Sequence, residues 1–139
     1  MSQENVELVR SIFAAWERGD FSEGRERLDQ HVVFVSSPDF PAFGAYLGLD
    51  AVAHFMQDFL RQWEWTTFEG ERLRVFGDTV VVDVVQRGKG RTSGAESAVR
   101  FFMLFSFRGE KVIRYETVLH EAEALEAVGL SEQDAHADS

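Results

Sequence analysis

Asp50-Ala51-Val52-Ala53-His54-Phe55-Met56-Gln57-Asp58-Phe59-Leu60-Arg61-Gln62-Trp63 is the stretch that decides the fold. Val52, Phe55, Met56, Phe59, Leu60 and Trp63 stand at i, i+3, i+4, i+7, i+8 and i+11, which puts one apolar stripe along one face of a helix. Immediately afterwards the period changes. Residues 66–76, 79–87, 96–107 and 111–119 are four runs rich in Val, Phe, Thr and Ile. They are divided by Gly77-Asp78, by a loop over 88–94 and by Arg108-Gly109-Glu110, as expected of an antiparallel meander. One strongly amphipathic helix feeding a meander predicts an α+β domain whose sheet is covered by helices.

Upstream, Leu8, Val9, Ile12, Phe13 and Trp16 repeat at helical spacing, with Glu4 and Glu7 near the start and Gly19 as a stop. Asp20-Phe21-Ser22-Glu23 has the spacing of a capping box and predicts a short second helix ending near Leu28. His31-Val32-Val33-Phe34-Val35 reads as one strand, broken by Ser36-Ser37-Pro38. Residues 39–48 read as a loop folded over something apolar, because Phe40, Phe43, Tyr46 and Leu47 are too many apolar side chains for a solvated linker. Downstream, residues 121–128 predict a short closing helix stopped by Gly129. The expected organisation is a single domain over 1–130 and a polar tail over 131–139.

The chain has 139 residues, 45% of them hydrophobic, enough for one domain with a real core. Thirteen Phe and three Trp against two Tyr give an aromatic surface largely without polar handles. The formal net charge of -10 opposes binding to nucleic acid or anionic membranes. No run approaches a membrane span, and a cytoplasmic protein is expected. The absence of Cys excludes disulfides, thiolate nucleophiles and Cys-based metal sites. His31, His54, His120 and His136 lack metal-ligand spacing, so neither a metal nor any other cofactor is expected.

Three phrases carry a family resemblance: the opening helix with its Gly19-Asp20 stop, the glycine-led entry Tyr46-Leu47-Gly48-Leu49-Asp50, and Gly109-Glu110-Lys111-Val112-Ile113-Arg114 followed by Glu123-Ala124-Leu125-Glu126-Ala127-Val128-Gly129-Leu130. With the element order, they resemble the SnoaL-like branch of the NTF2-like superfamily. The resemblance implies a cone: a strongly curved antiparallel sheet wrapped round helices, with an apolar pocket inside. It also permits a test for chemistry. Positions matching the catalytic Tyr and two Asp of ketosteroid isomerases fall on Ile12, Ser37 and Met103, and the last-strand Asp of limonene epoxide hydrolases falls on Thr117. None supplies the required group, so both reaction types are disfavoured.

Strand phase then follows from the two-residue repeat. If Met103 points inward, so do Val99, Phe101 and Phe105; if Thr117 does, so do Ile113, Tyr115 and Leu119. The expected pocket wall is Ile12, Trp16, Phe34, Tyr46, Phe55, Phe59, Trp63, Phe101, Met103, Tyr115 and Thr117. The expected ligand is a small apolar or polycyclic molecule. Two alternatives stay open. One is a cyclase, dehydratase or hydrolase with Asp83 as acid/base and Tyr115 orienting a carbonyl; the other is a dimeric interaction domain with a filled cone. Arg87, Lys89, Arg91 and Arg100 are read as a charged sheet edge, and His54 and Asp58 as a surface pair. Phe102 and Leu104 make the other sheet face apolar too, so that face needs a second partner; the resemblance implies a twin subunit, hence a homodimer through that outer face.

Overall fold

A computed structural model describes residues 1–129 of the chain; the tail expected over 131–139 lies outside the described residues. Helix α1 spans Gln3–Trp16, where the Ser2 hydroxyl caps the first turn by accepting from the Asn5 amide. The Arg18 guanidinium donates to the Ala14 carbonyl at the other end. Strand β1 is Leu28–Ser36, β2 is Gly44–Leu47, α2 is Leu49–Arg61, and β3 to β6 are Trp63–Phe76, Thr79–Gly90, Glu96–Arg108 and Lys111–Val118. Helix α3, Glu121–Ala127, closes the described chain.

The helix expected after Asp20 does not form. The Asp20 carboxylate accepts from both the Ser22 hydroxyl (2.6 Å) and the Ser22 amide (3.0 Å), a local turn that competes with a helical start. Gly24 then adopts φ +90°, and only a single 3-10 turn, Arg25–Arg27, follows. The segment read as an aromatic loop contains β2, which pairs antiparallel with β1 through Phe34 opposite Tyr46.

The six strands form one sheet in the order β2-β1-β6-β5-β4-β3. The meander from β3 to β6 is antiparallel as expected, but β1 runs parallel to β6, so the sheet is mixed. Of its several register shifts, two bear on which side chains face inward. Gly70 faces Val84 and Arg72 faces Asp83, leaving Glu71 unpaired and turning Arg72 and Arg74 to the outer face. On β6, Arg114 faces Ser106 and Val112 faces Phe107, so Ile113 is extra and Val112 points inward in its place.

The main core lies inside the curve, where Val9, Ile12, Phe13 and Trp16 of α1 join Val80, Val82 and Val84 of β4 and Phe105 and Phe107 of β5. A smaller core lies outside, where Ala124 of α3 joins Val81, Leu104 and Val118. The apolar outer residues that suggested a twin subunit are thus partly covered from within the same chain. Beside α3, that face carries ion pairs between Glu69 and Arg87, Glu71 and Arg100, and Glu64 and Lys89. Three of the expected edge cations are therefore paired across strands, and Arg91 donates to the Arg61 and Trp63 carbonyls.

Candidate functional site

The inner face of the sheet, α1 and α2 enclose a cavity of about 1040 Å³. Helix α2 packs against β1, β2 and β3, whereas α1 packs against β3. The apolar stripe of α2 faces this space: Phe55, Met56, Phe59 and Leu60 all line it, and of the whole helix only Val52 is fully buried. Trp63 continues the wall from the first residue of β3, and Gly88 makes room for it. A Cβ on Gly88 would come within 2.6 Å of the Trp63 ring.

The aromatic side chains touch one another around the space. Phe34 stacks on Tyr115 at 4.5 Å between ring centroids, Tyr46 leans on Phe55 at 4.6 Å, and Phe40 meets Phe101 edge-on at 5.6 Å. Every residue expected in the wall lines the cavity: Ile12 and Trp16 from α1; Phe34 and Tyr46 from β1 and β2; Phe55, Phe59 and Trp63; then Phe101, Met103, Tyr115 and Thr117 from the meander.

Polar groups are few and uncharged in the interior. Thr117 donates to the Ser36 hydroxyl at 3.3 Å, and Gln86 donates to the Thr66 hydroxyl at 3.3 Å. Burial raises the Tyr115 phenol far above its ordinary pKa, so it stays protonated and acts as a donor. The indole N–H groups of Trp16 and Trp63 are buried without an acceptor among the described residues. An indole nitrogen can only donate. Neither indole nitrogen has accessible surface, so neither is open to a molecule in the cavity.

Asp83 does not belong to this site. It shares the outer face with Val81, where its two oxygens meet Arg72 at 2.9 Å and Arg74 at 3.1 Å, and Glu121 of α3 closes the group. The acid/base role expected of it is corrected on this ground: a carboxylate on the far side of the sheet cannot reach a molecule in the cone. Asp58 pairs with Arg61 at 2.9 Å rather than with His54.

Among the wall residues that escape the sequence reading are Phe21, Leu28, Phe68 and Val112, and two polar ones, Ser36 and Gln86. Ser36 follows Phe34 by two along β1 and so shares its face, whereas Ser37, where the family comparison pointed, bonds outward to Asp39. Gln86 continues the inner row Val80, Val82, Val84 in the same way. One group outside the cavity has metal-type donors: atoms of Asp39, His120 and Glu123 lie within 4.8 Å of one another, a pairing of one His with two carboxylates that histidine spacing alone overlooks. None of the three lines the cavity. His120 stands at the N-cap of α3 but makes no capping bond through its ring.

The model of the SnoaL-like domain family matches residues 9–115. No curated protein matches the chain. Among solved structures, an NTF2-like protein of unknown function from Burkholderia pseudomallei is 19% identical, with a TM-score of 0.74 over 92% of this chain and 98% of that one. A putative SnoaL-like polyketide cyclase from Jannaschia sp. is also 19% identical, with a TM-score of 0.73 over 92% and 95%. A protein of ketosteroid isomerase-like fold from Catenulispora acidiphila, solved in complex with trimethylamine, is 17% identical, with a TM-score of 0.67 over 89% and 93%. At these identities the likeness is one of fold. The family match covers most of the chain, which belongs to the SnoaL-like domain family.

Proposed function

We propose that this SnoaL-like chain binds a small, largely apolar, ring-bearing molecule inside its cone. The observation that carries the reading is the stripe of α2, whose larger side chains touch the aromatic wall at their edges but leave a space of about 1040 Å³ between them and the sheet unfilled by protein. That volume is at the upper end of ordinary ligand pockets, and its mostly aromatic wall with few polar groups has their usual character. The Tyr115 hydroxyl, which keeps its proton, favours a molecule with an acceptor oxygen, such as a cyclic ketone or quinone.

Binding is favoured over turnover by the chemistry of the wall. The carboxylates that line the cavity, Glu23, Asp50 and Asp58, are all solvent-exposed, and Tyr115 holds its proton too tightly to act as a base near neutral pH. A filled cone is disfavoured by the same volume. Native mass spectrometry of the gently purified protein, followed by titration of Trp fluorescence with planar ring ketones, tests the reading. A copurified mass or saturable quenching is expected. Neither appearing with any ring compound would defeat it.

A further inference from the structure

We propose that the cavity selects by charge at its mouth, taking an apolar body that carries a protonated amine in preference to the same body carrying a carboxylate; this rests on the ligand-binding reading above. Residues that both line the cavity and are solvent-exposed mark where it opens. The charged or titratable ones are Glu23, Asp50 and Asp58, with Arg25 and His54. Asp58 is pinned by Arg61 at 2.9 Å, whereas Glu23 and Asp50 make no ion pair among the described residues.

The distribution of cations gives the asymmetry its weight. Of 14 Lys and Arg in the chain, Arg25 alone lines the cavity. Arg72, Arg74, Arg87, Lys89 and Arg100 stand on the opposite face of the sheet and are tied there to carboxylates. An anion entering the cone would pass two free carboxylates and find one guanidinium at the rim and none inside. An ammonium group would meet those carboxylates and the faces of an aromatic wall, which attract cations through their ring quadrupoles. The surplus of negative charge over the whole chain, -10, adds a long-range bias of the same sign.

Three anthracene probes with one body and different heads separate the possibilities: 9-(aminomethyl)anthracene, 9-anthracenemethanol and 9-anthracenecarboxylate. Titration at low salt is expected to rank them amine, alcohol, carboxylate, with roughly twofold to fivefold per exposed charge contact. The spread should shrink as salt screens the rim. Asp50→Asn and Glu23→Gln, both exposed changes, should narrow the ratio of amine to carboxylate, each variant's affinities being taken relative to its own affinity for the alcohol. Equal or reversed affinities of amine and carboxylate would overturn the charge selection while leaving the cavity reading intact. Failure of all three to bind would bring down both.

Discussion

Helices α1 and α2 carry the same kind of apolar stripe and use it differently. In α1, Val9, Ile12 and Phe13 are 0%, 4% and 3% exposed, packed into the main core even though Ile12 also borders the cavity. In α2, only Val52 reaches that state, at 3%, and the larger side chains Phe55, Met56, Phe59 and Leu60 remain half-exposed toward the cavity. A periodic stripe therefore records that a helix face avoids water, and says nothing of whether protein or a ligand is its partner. The difference arises from the neighbours. α1 lies against β3 and shares one buried cluster with Val80, Val82 and Val84 of β4, whereas α2 lies across β1, β2 and β3 with the cavity beside its larger side chains.

The contrast makes its largest prediction for stability. Phe13→Ala removes a ring from a packed core and leaves a new void, which should cost about 3–5 kcal/mol. Phe59→Ala removes a ring that already borders a void, so its cost should be about 1 kcal/mol, roughly the transfer term for a partly exposed side chain. Urea denaturation of the two variants is the measurement. Equal losses would mean that α2 is as tightly packed as α1 and would break the comparison. The same Phe59→Ala variant should lose more in ligand affinity than in stability.

What the sequence made legible follows from how local each signal is. The α2 stripe and the four meander strands depend on residues near one another in the chain, and the structure places them within a few positions of where the pattern puts them. The inner wall was legible because two-residue alternation holds along each strand until an extra residue intervenes. Ile113 marks where it fails. That single bulge puts Val112 rather than Ile113 inside, and no pattern within residues 111–119 announces it. The parallel pairing of β1 with β6 joins Ser36 to Thr117, 81 residues apart in the chain, and β2 is too short to show alternation. Asp83 was undecidable because a row of valines on both sides of it makes the two faces of β4 look alike. Only the side that α3 covers breaks that symmetry.

The two faces of β4 give the second, smaller effect. Asp83 is held by Arg72 and Arg74 on the outside, so Asp83→Ala should cost about 1–2 kcal/mol, between an exposed ion pair and a fully buried one. It should leave binding in the cone unchanged, since the side chain lies across the sheet from the cavity. Gln86→Ala, on the inner row, should do the reverse, with little loss of stability and weaker binding of a carbonyl-bearing probe. Thermal unfolding and Trp fluorescence titration on the same pair of variants would show it. An Asp83 variant that lost binding while remaining folded would return the carboxylate to the site.

The smallest effect concerns a single oxygen. Tyr115 stacks between Phe34 and Phe105, so Tyr115→Phe keeps the rings and removes only the hydroxyl. At neutral pH the loss of stability should be under about 1 kcal/mol, because that hydroxyl has no partner among the described residues to forfeit. The sign changes in alkali. Burial raises the folded-state pKa of Tyr115 above its value in the unfolded chain, about 10. The resulting stability is fully present below that pH and is lost as pH rises from there toward the folded-state pKa, because the unfolded chain releases the proton first. The parent protein should therefore lose stability faster than Tyr115→Phe between about pH 10 and pH 11, a difference that urea midpoints at a series of pH values would reveal. Parallel curves would show that the phenol already reaches water. The α2 side of the cone would then be open enough to hydrate its deepest hydroxyl, and the distinction between a packed and an unpacked helix would extend to the wall beneath them.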